Sequence, residues 1–416
     1  MADRNPPDLN KAGKRGGKPS GKVVDFRYNT PSRKRDARAD AGSRKPSREK
    51  KRPAAATASA ASDVNIAREQ RPLHNQPPAR RQAYAALDLG TNNCRLLIAR
   101  PSGENFTVID AFSRVVRLGE GLAASGRLSD AAMERTLAAL NVCAEKLRRR
   151  NVHLARSVAT EACRRASNGE AFIDRVREET GIVLDIISAQ EEARLAVLGC
   201  HILLENGVGP AVIFDIGGGS TELVLIEPGG PVPRILDWLS VPYGVVSLTD
   251  SVRPPDGTLE GRKARYGEMR ACMTKAFAPF ARRVRDAARS EGPIRLLGTS
   301  GTVTTLASVH LELPQYDRRM VDGLIVPSDA MRSISQRLSV MSEAERGTQP
   351  CIGDDRANLV VAGCAILESI MDLWPAPELA VADRGIREGI LRSLIAADTQ
   401  GIHAREDLQR MREQDV

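Results

Sequence analysis

The sequence predicts an α/β protein made of two similar halves that face each other across a cleft, preceded by a disordered basic tail. Three observations predict it. Charge is unevenly distributed over the 416 residues: positions 1–81 hold 21 Lys or Arg against 8 Asp or Glu, whereas the remainder holds 40 against 44. The apolar run Tyr84-Ala85-Ala86-Leu87 leads into Asp88-Leu89-Gly90-Thr91-Asn92-Asn93 and then LLIA, and about 127 residues later the same grammar returns as AVIF, Asp215-Ile216-Gly217-Gly218-Gly219-Ser220-Thr221-Glu222 and LVLI. After each trio of short strands, helical and strand-like stretches alternate, which is the pattern of α/β layers.

Residues 1–81 carry runs such as KAGKRGGKPSGK and SRKPSREKKRP with almost nothing aliphatic to bury. Such a segment cannot offset its ordering entropy and is expected to be disordered. It serves either as a solvated arm or as a binder of polyanions, including nucleic acid. The small-residue stretch PAAATASAAS lacks the preceding apolar core that an export signal needs, and no run reaches membrane-spanning length, so a cytoplasmic protein with no membrane partner is expected. Seven scattered cysteines without CxxC spacing read as small reduced core residues.

The first half, 82–206, opens with three short strands, the third entered through a turn at Ser102-Gly103-Glu104-Asn105. A helix follows, capped by Ser129, with Met133, Leu137, Leu140, Ala144 and Leu147 at helical spacing and an Arg-rich last turn. Next come a strand at ARSVAT, a helix through EAFIDRVREETG, a strand at VLDII and a helix from about Glu191 to Leu204. The second half, 207–397, has its own trio with a turn at PGGP. It continues with a long helix before Gly292, a strand at IRLLG, a helix through TVTTLASVHL and a strand ELAV ahead of Arg387-Glu388-Gly389. Residues 398–416 read as a polar C-terminal tail.

An Asp-x-Gly turn between two strands brings the backbone close to an anion, because glycine removes the side chain from the approach. One such turn is only a common bend; two in matching positions place Asp88 and Asp215 on a shared cleft floor. A third loop, Gly298-Thr299-Ser300-Gly301-Thr302, joins a strand to a helix whose N-terminal N–H groups can take a phosphate, with Gly298, Ser300 and Gly301 as candidates. None of these loops ends in the GK[ST] of an ordinary nucleotide-binding P-loop.

Six segments in order give a specific resemblance: ALDLGTNNCRLLIA, SVATEACRRASN, IISAQEEARLAVLG, VIFDIGGGSTELVLIE, LLGTSGTVTTLA and RGIREGIL. Residues 82 to about 397 resemble the exopolyphosphatase and guanosine-pentaphosphate phosphohydrolase family, itself similar to the actin, sugar-kinase and Hsp70 superfamily. The resemblance implies two duplicated ribonuclease-H-like domains, in a short form without the helical HD-like domain of longer members. It implies a first phosphate loop at Asp88, Gly90, Thr91 and Asn92, and a second at Asp215, Gly217, Gly218, Gly219, Ser220 and Glu222. Arg164 falls on a substrate-phosphate arginine and Glu192 on the catalytic glutamate, with Glu191 as the neighbour at the helix start. Asn93 stands where the family more often has serine.

The resemblance further implies Mg²⁺ held through Asp88, Asp215 or Glu222, and removal of the terminal phosphate of inorganic polyphosphate, with Glu192 activating water. Guanosine pentaphosphate is the rival substrate, and a non-catalytic polyphosphate or RNA binder is the rival from another class. A homodimer is compatible with the sequence. The five histidines lie outside all these motifs, so no Ser-His-Asp arrangement competes.

Overall fold

The computed structural model describes residues 23–25, 82–103, 105–204, 209–227, 233–287 and 294–414, with side chains described from 82 to 400. The expected turn at PGGP, Glu104 of the earlier turn, and nearly all of the basic tail lie outside the described residues.

Among the described residues twelve strands form two sheets: β1 (Val23–Asp25), β2 (Ala83–Leu89), β3 (Asn93–Ser102), β4 (Asn105–Val115), β5 (Val152–Ala159) and β6 (Leu184–Ile186) make the first, and β7 (Ala211–Ile216), β8 (Thr221–Glu227), β9 (Arg234–Val241), β10 (Arg295–Thr299), β11 (Ile325–Pro327) and β12 (Glu378–Ala382) the second. The duplication is visible in the pairing. β2-β3-β4 and β7-β8-β9 are antiparallel meanders; β5 then β6 add in parallel beside β2, and β10 then β12 add in parallel beside β7.

Period-two alternation decides what each strand offers to the cleft. In β2, Ala83, Ala85, Leu87 and Leu89 enter an outer core with helices Asp130–Arg149 and Gly169–Thr180, while Tyr84 and Ala86 face inward. Asp88 continues that inward face. In β7, Val212, Phe214 and Ile216 enter the outer core of the second half, whereas Ala211 and Ile213 face inward and Asp215 follows them. The two aspartates therefore end equivalent inner faces.

Two helices fill the space between the sheets. Ala189–Cys200 presents Leu195 and Ala196 to the first sheet and Ala193, Val197 and Cys200 to the second. Helix Ile386–Gln414 lays Ile386, Ile390, Leu391 and Leu394 on the inner face of the first sheet. The second half as drawn from the sequence, 207–397, thus includes the start of a helix whose apolar side packs on the first, and the helix runs through the expected polar tail as far as Gln414. Helices Leu259–Ala287, Gly301–His310, Ser328–Val340 and Val360–Leu373 cover the outer face of the second sheet.

Candidate active site

The two Asp-x-Gly turns are built alike. The Gly90 N–H donates to the Asn93 carbonyl at 2.9 Å, and the Gly217 N–H to the Ser220 carbonyl at 3.0 Å. Each loop is held from behind: the Asn92 carbonyl accepts from the N–H groups of Val116 and Arg117, and the carbonyls of Gly217 and Gly218 accept from Val245 and Val246. The loops then meet tip to tip. A Cβ on Gly218 would lie 3.0 Å from Thr91 Cβ and 3.2 Å from the Asn92 nitrogen, and one on Gly219 would lie 2.7 Å from Thr91 Oγ1 and 2.8 Å from Glu161 Cγ. Glycine is required there for space.

The loops floor a cavity of about 130 Å³ lined by Asp88, Gly90, Thr91, Asn92, Glu192, Asp215, Gly217, Gly218, Gly219, Ser220, Glu222, Ser300 and Gly301. That is roughly ten times what one water needs by this measure, enough for a phosphate group with its solvent. The cavity therefore brings together sequence-predicted residues from four separate segments. Two of its candidates stand elsewhere. Gly298 lies within β10, where a Cβ would come 2.6 Å from the Phe214 ring, so its smallness serves packing. Arg164 stands behind the wall, donating to Glu192 Oε2 at 3.1 Å, to Glu161 Oε2 at 2.6 Å and to the Ile187 carbonyl at 2.7 Å.

The two adjacent glutamates of the helix Ala189–Cys200 have different fates. Ser188 caps this helix, its hydroxyl accepting from the Glu191 N–H at 3.1 Å. Glu191 turns outward to Arg156 at 2.9 Å and Arg194 at 2.7 Å, and despite partial burial these guanidinium groups hold its carboxyl below the usual range. Glu192 turns inward, buried on the cavity wall. Loss of water there, then the neighbouring Glu222, push its carboxyl well above the usual range, against the pull of Arg164.

The floor is crowded with acid. Burial, followed by Glu222, lifts Asp215 to about 8, opposed by Arg95. Burial lifts Glu222 to about 7, although the hydroxyls of Ser220 and Ser240 donate to its Oε1 at 2.7 and 2.9 Å. Asp88 is raised by burial too, against Arg95 and Arg387, and its Oδ1 is buried without a hydrogen-bond partner. Such a set favours a cation or protons. Among the described residues no three His, Cys, Asp or Glu converge as a ready-made metal ligand set. The donors suit a hard cation such as Mg²⁺, which takes one or two carboxylates and completes its shell with phosphate and water.

Several cavity residues escaped the sequence reading. Arg95 is paired across the ladder with Asp88 and so shares its inward face, a position that strand alternation could have revealed. Glu161, Thr160, Thr302, Thr305 and Arg356 also line the cavity. Arg356, which donates to Thr305 Oγ1 at 2.8 Å, belongs to a short helix that no motif marks. Ser300 holds φ 137, a region that residues with side chains rarely adopt, while its hydroxyl caps the helix Gly301–His310 by accepting from the Val303 N–H.

Comparison with known proteins places the chain in a family. The chain is 30% identical over 329 residues to exopolyphosphatase 2 of Mycobacterium tuberculosis, covering 74% of this chain and 98% of that protein. The crystal structure of the Ppx/GppA family member of Aquifex aeolicus superposes with a TM-score of 0.61 at 28% identity, covering 76% of this chain and 98% of the other. An exopolyphosphatase structure from Cytophaga hutchinsonii, 23% identical with a TM-score of 0.67 over 76% of this chain and 98% of that one, shares the fold. Residues 97–397 match the Ppx/GppA phosphatase family as a whole, and the chain belongs to that family.

Proposed function

We propose that this phosphatase is an exopolyphosphatase, hydrolysing the terminal phosphate of inorganic polyphosphate with release of orthophosphate. The observation that carries the reading is Glu192: a buried carboxylate on the wall of a cleft floored by two glycine loops, backed by Arg164, whereas Glu191 is held by Arg156 and Arg194. The named relatives support polyphosphate over guanosine pentaphosphate as the substrate.

In this reading the terminal phosphate lies against Thr91, Asn92 and the Gly217–Ser220 loop, with the N-terminus of helix Gly301–His310 offering further donors. Magnesium held by Asp88, Asp215 or Glu222 would neutralise charge on the phosphate oxygens. Glu192 orients a water in line with the scissile anhydride and takes its proton as the new P–O bond forms and the bond to the shortened chain breaks. Arg164 fixes the Glu192 carboxylate from behind the cavity wall. Arg95 adds positive charge beside Asp88.

The reading is tested by phosphate release with Mg²⁺ from long polyphosphate, guanosine pentaphosphate and ATP in parallel. Polyphosphate should be hydrolysed with the highest kcat/KM. Preferred release from guanosine pentaphosphate would assign the rival substrate, and no release from any of them would leave a binding protein.

A further inference from the structure

An ion pair joins the two halves of the molecule beside residues that line the cavity. Arg117 Nη2 lies 3.1 Å from Asp355 Oδ1. Arg117 belongs to the first half, and its N–H donates to the carbonyl of Asn92 in the first phosphate loop. Asp355 belongs to the second half, next to Arg356 on the cavity wall. The backbone of Arg117 is pinned: Arg135 donates to the carbonyls of Val116 and Arg117, and Arg117 itself sits at φ 50, a left-handed conformation that a residue with a side chain adopts only when its surroundings hold it there. Its guanidinium, which reaches Asp355, is thus carried by the same segment that supports the phosphate loop.

We propose that Asp355 is a stand-in for substrate: a polyphosphate chain lying in the cleft displaces it, and Arg117 then binds a phosphate beyond the one being cleaved. This rests on the functional reading given above. Both partners are well exposed, 47% and 69%, so the pair contributes little to stability and is readily exchanged. Each inner residue of a polyphosphate chain carries a negative charge and offers the oxygen geometry that a guanidinium binds best. A short substrate held wholly by the loops leaves Arg117 without a phosphate partner. Arg117 thereby becomes a determinant of chain length, and Asp355 its internal competitor.

The two partners make opposite predictions, which a merely structural clasp does not. Arg117→Asn, chosen because asparagine tolerates a positive φ, should raise KM for long polyphosphate about threefold, with kcat and the kinetics on triphosphate little changed. Asp355→Asn should lower KM for long chains by a similar factor, Arg117→Lys should recover part of the loss, and high salt should shrink every difference. The experiment is steady-state kinetics on long polyphosphate and triphosphate at low and high salt, with thermal melts to verify folding. A rise in KM for Asp355→Asn, or unchanged KM in both variants, overturns the proposal. Wild-type protein that releases no phosphate from polyphosphate would instead overturn the functional reading, a result obtained before any variant is made.

Discussion

At the scale of residues, the site gathers carboxyl groups whose burial raises them above their ordinary range. Glu192→Gln keeps the shape of the wall and removes the base, so turnover should fall by about 10²–10⁴ while substrate affinity stays within a few fold. Glu191→Gln should retain activity, because its carboxylate is spent on Arg156 and Arg194; steady-state kinetics on both variants decides the assignment, and the reverse result moves the base by one position. Acidity also links to stability. Asp215, raised from its ordinary 3.8 to about 8, gives the folded protein up to one extra bound proton across that interval. Its stabilising contribution is full below the unfolded value and is lost as pH rises through the folded one. Thermal melts without divalent cation should therefore show Tm falling as pH rises from the acid side toward 8, and Asp215→Asn should make that slope shallower. Added Mg²⁺ should restore Tm most at the alkaline end; a flat profile in the wild type would show that the floor carboxyls are not strained by burial.

Among the elements, the two helices between the sheets couple the halves. They cross through glycines: a Cβ on Gly199 would lie 2.0 Å from the Gly385 carbonyl oxygen, and one on Gly389 would lie 2.0 Å from that of Leu195. No rotamer relieves a Cβ, so Gly199→Ala should cost about 1–3 kcal/mol by overpacking, read as a lower midpoint in urea unfolding. Because Glu192 stands near the start of one of these helices, activity should fall in the same variant; an unaltered midpoint would mean that the crossing yields easily. These glycines sit inside QEEARLAVLG and RGIREGIL, where the sequence marks them, yet only the fold shows that they face each other. Strands flanking the Asp-x-Gly turns were legible because alternation and glycine punctuation are local signals. Helix Val360–Leu373 was not, since every residue from Val360 to Met371 is buried and no polar face gives it a helical period. Arg356, just before that helix, shares its lack of a signal, whereas Gly298 reads as a phosphate contact because a glycine needed for packing against Phe214 looks the same in sequence as one that admits an anion.

For the molecule as a whole, the open question posed by its sequence is a division of labour between a basic N-terminal segment and a weakly acidic catalytic region. Residues 1–81 carry 21 basic against 8 acidic residues, and the rest carries 40 against 44. A long polyphosphate is a dense polyanion whose end alone fits the cleft, leaving its distal part to meet whatever positive charge the chain offers outside it. By the counterion-release argument, each contact between a basic residue and such a polymer steepens the fall of affinity with salt. Among the described residues the cavity is lined by positions 88–386, and the basic segment gives the first sheet only its edge strand β1, away from the cavity lining. A chain beginning at Gln82 should therefore keep its kcat and its KM on short polyphosphates, bind long ones more weakly, and lose affinity with a shallower salt slope than the full-length protein. The measurement is a salt series of KM values for both proteins on short and long chains. Superimposable curves on long chains would assign the segment to solubility or to another polyanion such as nucleic acid, and a lost rate on short chains would mean that it helps to build the catalytic half it precedes.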